Sequence, residues 1–226
     1  MGNYSIKNGK GIIAKGLKSI ADNAFSDCTE LIEINIPDRV KYIGNYAFSG
    51  CSNLISINIP KTIEMIGWDQ RDYNWGDEDI PYIGEGAFLN CTSLEKITIP
   101  ESVNSILNNA FEGCIMLSKI KVDVKNKTYD SRNDCNAIIE TGTNRLILGC
   151  LSTIIPDTVT EIADFAFRFG GDLKSITIPE SVVEIGHKAF EGCSSLSTIN
   201  VPAKKIDLYK QLLPQELHDK IVGFAS

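Results

Sequence analysis

The stretch Ile43-Gly44-Asn45-Tyr46-Ala47-Phe48-Ser49-Gly50-Cys51-Ser52-Asn53-Leu54-Ile55-Ser56-Ile57-Asn58-Ile59-Pro60 decides the fold, because its apolar skeleton recurs along the chain. The Ala-Phe pair returns at residues 24–25, 87–88, 110–111, 166–167 and 189–190, with a basic period of 23 residues. Ile20, Ile43, Ile83, Ile106, Ile162 and Ile185 stand five residues before each Phe, and Leu31, Leu54, Leu94, Leu117, Leu173 and Leu196 six after. An Ile-x-Ile or Ile-x-Val pair follows each Leu, then Pro37, Pro60, Pro100, Pro179 and Pro202, with Asp123 breaking the proline column. A fixed period of this length means stacked units that bury one continuous core strip between neighbours.

Within one unit, Ile43, Ala47, Phe48 and Cys51 have the spacing of one face of a short helix, whereas Ile57 and Ile59 alternate as in a strand. Proline then removes an N–H donor and stops the strand. Two residues after the Phe stand Asp27, Gly50, Asn90, Gly113 and Gly192, types that tolerate the left-handed conformation ending a helix. Phe169 occupies that position in another unit, where a longer helix closed by Gly170 is expected. Of seven cysteines, Cys28, Cys51, Cys91, Cys114 and Cys193 lie three residues after Phe25, Phe48, Phe88, Phe111 and Phe190. That regularity marks them as small core hydrophobes, whose thiol pKa burial raises.

The pattern Ile43-Gly44-x-x-Ala47-Phe48-x-Gly50-Cys51-x-x-Leu54-x-x-Ile57-x-Ile59-Pro60 resembles the BspA-like leucine-rich repeats of bacterial surface and secreted proteins, over roughly residues 16–202. The resemblance implies an α/β repeat: a right-handed leucine-rich-repeat solenoid with a parallel sheet of short strands on one face and short helices on the other. Residues 1–202 would form six repeats, with insertions near 67–82 and 124–154. The resemblance also implies a non-enzymatic adhesion module at the cell surface or secreted, binding a host or neighbouring-cell surface or matrix protein. Two alternatives stay open: a structural spacer without its own ligand, and a carbohydrate-binding module.

Net charge is −7 and the pI near 4.9, and no basic stripe exists, so nucleic acid is not an expected partner. No run of 18 apolar residues suggests membrane insertion, and the first residues do not read as a signal peptide. His187 and His218 are the only histidines, and neither has a spacing that suggests a dyad or metal site. No enzyme activity and no cofactor are expected.

The first insertion carries both tryptophans of the chain. Trp68, Tyr73, Trp75 and Tyr82 are candidates for a binding platform, since aromatics anchor interfaces. Asp69, Asp72, Asp77 and Asp79 are a weak candidate for Ca²⁺, lacking the register of a known loop; a solvated acidic loop is the plainer reading. The second insertion reads as a β-hairpin turning at Glu140-Thr141-Gly142-Thr143-Asn144, with Cys135 and Cys150 near its ends and close enough in sequence to consider a disulfide. Outward strand positions carry small polar residues except for Lys96, Lys119 and Lys121, which either receive an acidic partner or protect the strand face from association. Residues 203–226 are expected to form a helical cap of two segments divided at Pro214, and residues 4–20 to cap the other end.

Overall fold

The computed structural model describes residues 3–63, 65–66, 85–106 and 109–225. The Ile-x-Ile segments are strands, and Glu33–Asn35, Ser56–Asn58, Lys96–Ile99 and Lys119–Val122 join in one parallel ladder. Ile34 lies beside Ile57, and Ile97 beside Ile120. Strand side chains alternate, so these isoleucines are buried while Glu33, Asn35, Lys96, Lys119 and Lys121 face solvent. At the amino-terminal end an antiparallel hairpin, Tyr4–Lys7 with Lys10–Ile13, closes the sheet. Its turn places Asn8 at φ 53° and Gly9 at φ 76°. Asn-Gly is the turn pair that favours this geometry, so this cap was signalled by two residues.

The expected short helices are absent from the described repeats, and this is a correction. Around each Phe the chain instead alternates between right- and left-handed residues. Positive φ falls two residues before and two after the Phe, as at Asn23 and Asp27, Tyr46 and Gly50, Gly86 and Asn90, and Lys188 and Gly192. Phe165 and Phe169 do the same at φ 60° and 59°, so Phe169 itself turns the chain and no longer helix forms there. The alternation sends every second N–H out of its own coil. Asn23, Phe25 and Asp27 donate to the carbonyls of Asn45, Ala47 and Ser49 at 2.7–2.9 Å, while Ala24, Ser26 and Cys28 bond three residues back. An α-helix would keep all these donors to itself; here stacking supplies acceptors at the right height, and the coils are laced together on this side too. A further set of two-residue strands, including Ser19–Ile20, Tyr42–Ile43 and Met65–Ile66, adds a third ladder.

Phenylalanine rings fill the interior as two columns. Phe25, Phe48, Phe88 and Phe111 stack at 5.2–5.5 Å between centroids with interplanar angles of 1–7°, and Tyr4 meets Phe25 edge-on at 5.4 Å. Phe167 and Phe190 stack separately at 5.1 Å. The repeat cysteines do more than fill space. Cys51, Cys91, Cys114 and Cys193 donate S–H to the carbonyls of Phe25, Phe48, Phe88 and Phe167 in the preceding coil, at 2.9–3.2 Å. Desolvation pushes Cys51 and Cys114 up to about 12 and Cys193 up to about 11, so these thiols are poor nucleophiles.

Between the two columns lies the inserted hairpin, as expected from its turn residues. Ile138–Glu140 pairs antiparallel with Arg145–Leu148, which continues in parallel to Glu161–Ile162 and Glu184–Ile185. Gly149 stands opposite Phe167, and its N–H donates to Ala166 at 2.9 Å, the role Phe plays in regular coils. Arg168 spans the interruption on the outside: its Nη1 lies 2.8 Å from Glu112 and its Nε 2.6 Å from Glu191, with the guanidinium 5.1 Å and 4.6 Å from the Phe165 and Phe169 rings. Cys135 and Cys150 are both free thiols, so the considered disulfide is not formed. Cys150 Sγ instead donates to the Asn136 carbonyl at 3.2 Å.

Beside the hairpin turn, Asp130 accepts hydrogen bonds from Arg132 Nε at 2.8 Å, Arg132 Nη2 at 2.6 Å and Thr141 Oγ1 at 3.0 Å. Burial works to raise the Asp130 carboxyl, but these donors outweigh it and hold the group below the usual aspartate range. A carboxyl depressed in the folded state adds stability above its unfolded pKa, and that stability is lost as pH falls through the folded value. Asp130→Asn is therefore expected to be less stable than the parent at neutral pH, with the difference shrinking below about pH 4. Urea unfolding at pH 7 and in acid checks this; a difference independent of pH contradicts it.

The carboxy-terminal end is only partly helical, which corrects the expected cap. One helix, Ile206–Leu212, is followed by a 3-10 segment, Gln215–Lys220, on the far side of Pro214. Ile221–Phe224 then returns as a strand parallel to Thr198–Pro202. Buried Tyr209 fixes the helix, donating its hydroxyl to the carbonyls of Pro179 at 2.8 Å and Val182 at 3.1 Å.

Candidate functional site

Outward residues of the six-stranded sheet form columns across the coils, because parallel in-register pairing repeats each position at a spacing of about 4.8 Å. One column runs Lys10, Glu33, Ser56, Lys96, Lys119, and beside it Thr98 pairs with Lys121. Lys10 Nζ lies 2.5 Å from Glu33, so the one carboxylate in this column is already engaged. Asp123, just past the end of the Lys119–Val122 strand, lies 4.0 Å from Lys61 and accepts the Lys125 N–H at 3.0 Å. Among the described residues, Lys96, Lys119 and Lys121 have no ion-pair partner. Like charges abreast on neighbouring strands are destabilising by themselves. Next to them an open groove of about 490 Å³ is floored by Asn35, Ser56, Asn58 and Thr98, with Asn58 Nδ2 donating to Asn35 Oδ1 at 2.9 Å. Exposed ammonium groups beside amides and hydroxyls make a surface that hydrogen-bonds and attracts an anionic partner.

The sequence placed these three lysines on one face, and the structure brings them together there. Trp68, Tyr73, Trp75 and Tyr82, with Asp69, Asp72, Asp77 and Asp79, lie outside the described residues. Phe25, Phe48, Phe88, Phe111, Phe167 and Phe190 are buried as expected of structural positions. Among the described residues no group of three His, Cys, Asp or Glu side chains is placed to hold a metal ion. His187 is exposed, its ring edge-on to Phe165 at 6.0 Å, and His218 Nε2 lies 3.1 Å from the Leu213 carbonyl. No helix among the described residues is long and apolar enough to cross a membrane.

One surface feature escaped the sequence reading although its signal was present. Six, three and one residues before the closing Pro the repeat carries Leu, Ile and Ile, as in Leu54, Ile57 and Ile59 before Pro60, but before Pro156 these places hold Cys150, Thr153 and Ile155. Thr153 Oγ1 accepts the Cys150 N–H at 2.7 Å and donates to the Asn136 carbonyl at 2.6 Å, which ties the segment to its own coil. No strand forms over 151–156.

The family model described as a BspA type leucine rich repeat region matches residues 4–70, 76–139 and 149–215, in six copies. Among solved structures, that of the pneumococcal vaccine antigen PcpA is similar, with 27% identity, a TM-score of 0.66 and coverage of 85% of this chain and 45% of that one. A leucine-rich repeat protein from Eubacterium ventriosum shares the fold at 23% identity and a TM-score of 0.54, over 85% of this chain and 59% of that one. The chain thus spans less than two thirds of the length of either. No curated protein sequence matches it.

Proposed function

The chain belongs to the BspA type of leucine-rich repeat proteins, and from that premise we propose that it is a protein-binding module of a bacterial cell-surface or secreted protein. Its binding element is the outward sheet face around Lys96, Lys119 and Lys121, which takes an acidic surface of a host or neighbouring-cell protein. The observation that carries this reading is the set of three uncompensated lysines on adjacent strands of a chain whose net charge is −7. Their mutual repulsion is relieved when an acidic partner docks, and the local positive field steers its approach. The likeness to a pneumococcal vaccine antigen supports a place at the cell surface.

The test is surface plasmon resonance of the chain over immobilised matrix proteins and a polyglutamate peptide, with a Lys96→Glu/Lys119→Glu/Lys121→Glu variant beside it. Binding is expected to weaken about tenfold or more in the variant and to fall with salt, since exposed charges are screened beyond a Debye length of about 8 Å at physiological ionic strength. Binding equal in both chains moves recognition away from this face. A Trp68→Ala/Trp75→Ala variant and a glycan series then decide for the aromatic insertion, and silence of every chain favours a spacer.

A further inference from the structure

In the segment from Leu151 to Pro156, Ile155 reaches the core, and Ile154, at the outward position that Asn35, Asn58 and Thr98 hold in other coils, is 74% exposed. The Ile154 N–H goes back to the Cys135 carbonyl at 3.0 Å and makes no rung to the next coil. The following strand, Ser175–Thr177, therefore pairs on one side only, with Thr198–Pro202. On that paired side Thr198 N–H donates to Lys174 at 3.3 Å, and Ile178 N–H donates to Asn200 at 2.8 Å.

In a parallel ladder both backbone groups of a residue point to one side, and alternate residues point to opposite sides. With Lys174 and Ile178 facing Thr198–Pro202, the N–H and C=O of Ser175 and Thr177 face the other way. No backbone partner meets them there among the described residues; they open onto a groove of about 730 Å³. Ile154 walls this groove on one side and Phe224 on another, and the carboxylates of Asp157 and Glu180 line it without any lysine or arginine. Glu180 is held by Lys204 at 2.8 Å, which leaves Asp157 as its free charge.

We propose that this groove receives an extended segment of a partner protein, which adds as a strand to the open edge of Ser175–Thr177. Four backbone groups, two N–H and two C=O, supply the pairing. An apolar side chain of the segment packs on Ile154, and a lysine or arginine meets Asp157. Strand addition to an unpaired sheet edge is an established means of peptide recognition, and an edge left open invites it. The site is separate from the lysine face and opposite in charge, so the two stand or fall independently.

The probe is a fluorescein-labelled, amidated peptide copying Leu94–Pro100, Leu-Glu-Lys-Ile-Thr-Ile-Pro, which is a regular rung carrying one lysine. Fluorescence polarisation with the native chain is expected to saturate, and amide exchange at Ser175 and Thr177 to slow when the peptide binds. Thr177→Pro removes an N–H that faces the groove and none that serves the ladder; it is expected to weaken binding about tenfold. The Lys96→Glu/Lys119→Glu/Lys121→Glu chain should bind the peptide like the parent. No saturable binding by the native chain overturns the proposal, as does protection at Ile221–Phe224, the other margin of that sheet, in place of Ser175 and Thr177. Undiminished binding by a folded Thr177→Pro chain overturns it equally.

Discussion

Phe88→Ala will lower the unfolding free energy by about 3–5 kcal/mol, the range for deleting a buried aromatic ring. Phe88 is fully buried and sits mid-column, with Phe48 at 5.5 Å on one side and Phe111 at 5.2 Å on the other. Its removal takes away two stacked contacts at once, and neighbouring coils cannot close the space because their heights are set by backbone ladders on both sides. In a stacked array stability is a sum of unit and nearest-neighbour terms, so a weak interface also divides cooperativity. Phe190, whose ring stacks only on Phe167 at 5.1 Å, should cost less when truncated. Urea unfolding followed by circular dichroism tests both. A loss below about 1 kcal/mol at Phe88, or equal losses at the two positions, contradicts the column as the main element of cohesion.

Gly149→Ala will destabilise by about 1–3 kcal/mol through overpacking, although alanine for glycine at an unstrained site ordinarily stabilises. A Cβ there would stand 2.7 Å from Phe167 Cδ1 and closer still to Cε1 and Cζ, and Phe167 is itself buried. Because the clash has one partner, a smaller side chain at residue 167 should relieve it. In a double-mutant cycle Phe167→Leu is expected to recover part of the Gly149→Ala loss; strict additivity would mean that the two residues do not meet.

Much of this molecule was legible in its residues. The recurrence of Ala-Phe, Leu and Ile-x-Ile specified stacked coils, since apolar positions repeated at fixed separations have one way to be buried together. Glu140-Thr-Gly-Thr-Asn144 specified a hairpin, and the alternation at Lys96-Ile-Thr and Lys119-Ile-Lys-Val specified outward lysines. Asn8-Gly9, and Cys150 and Thr153 in the places of the repeat Leu and Ile, were equally plain signals that the repeat pattern overshadowed.

The apolar spacing around Phe48 predicts a helix, and no local property of Tyr46 or Lys188 foretells a positive φ. At Tyr46 a carbonyl of the adjacent coil, that of Glu85, stands 3.1 Å from the freed N–H, an energy that exists only once two coils have stacked; Lys188, in the last coil, keeps the same φ with no such acceptor among the described residues. Ile221–Phe224 likewise becomes a strand because Thr198–Pro202 offers it an edge. By itself the sequence determined which residues face the core and how often, through periodicity alone. Only the tertiary structure decided where backbone donors go and which sheet edge stays open, because hydrogen-bond partners in this fold lie a coil away.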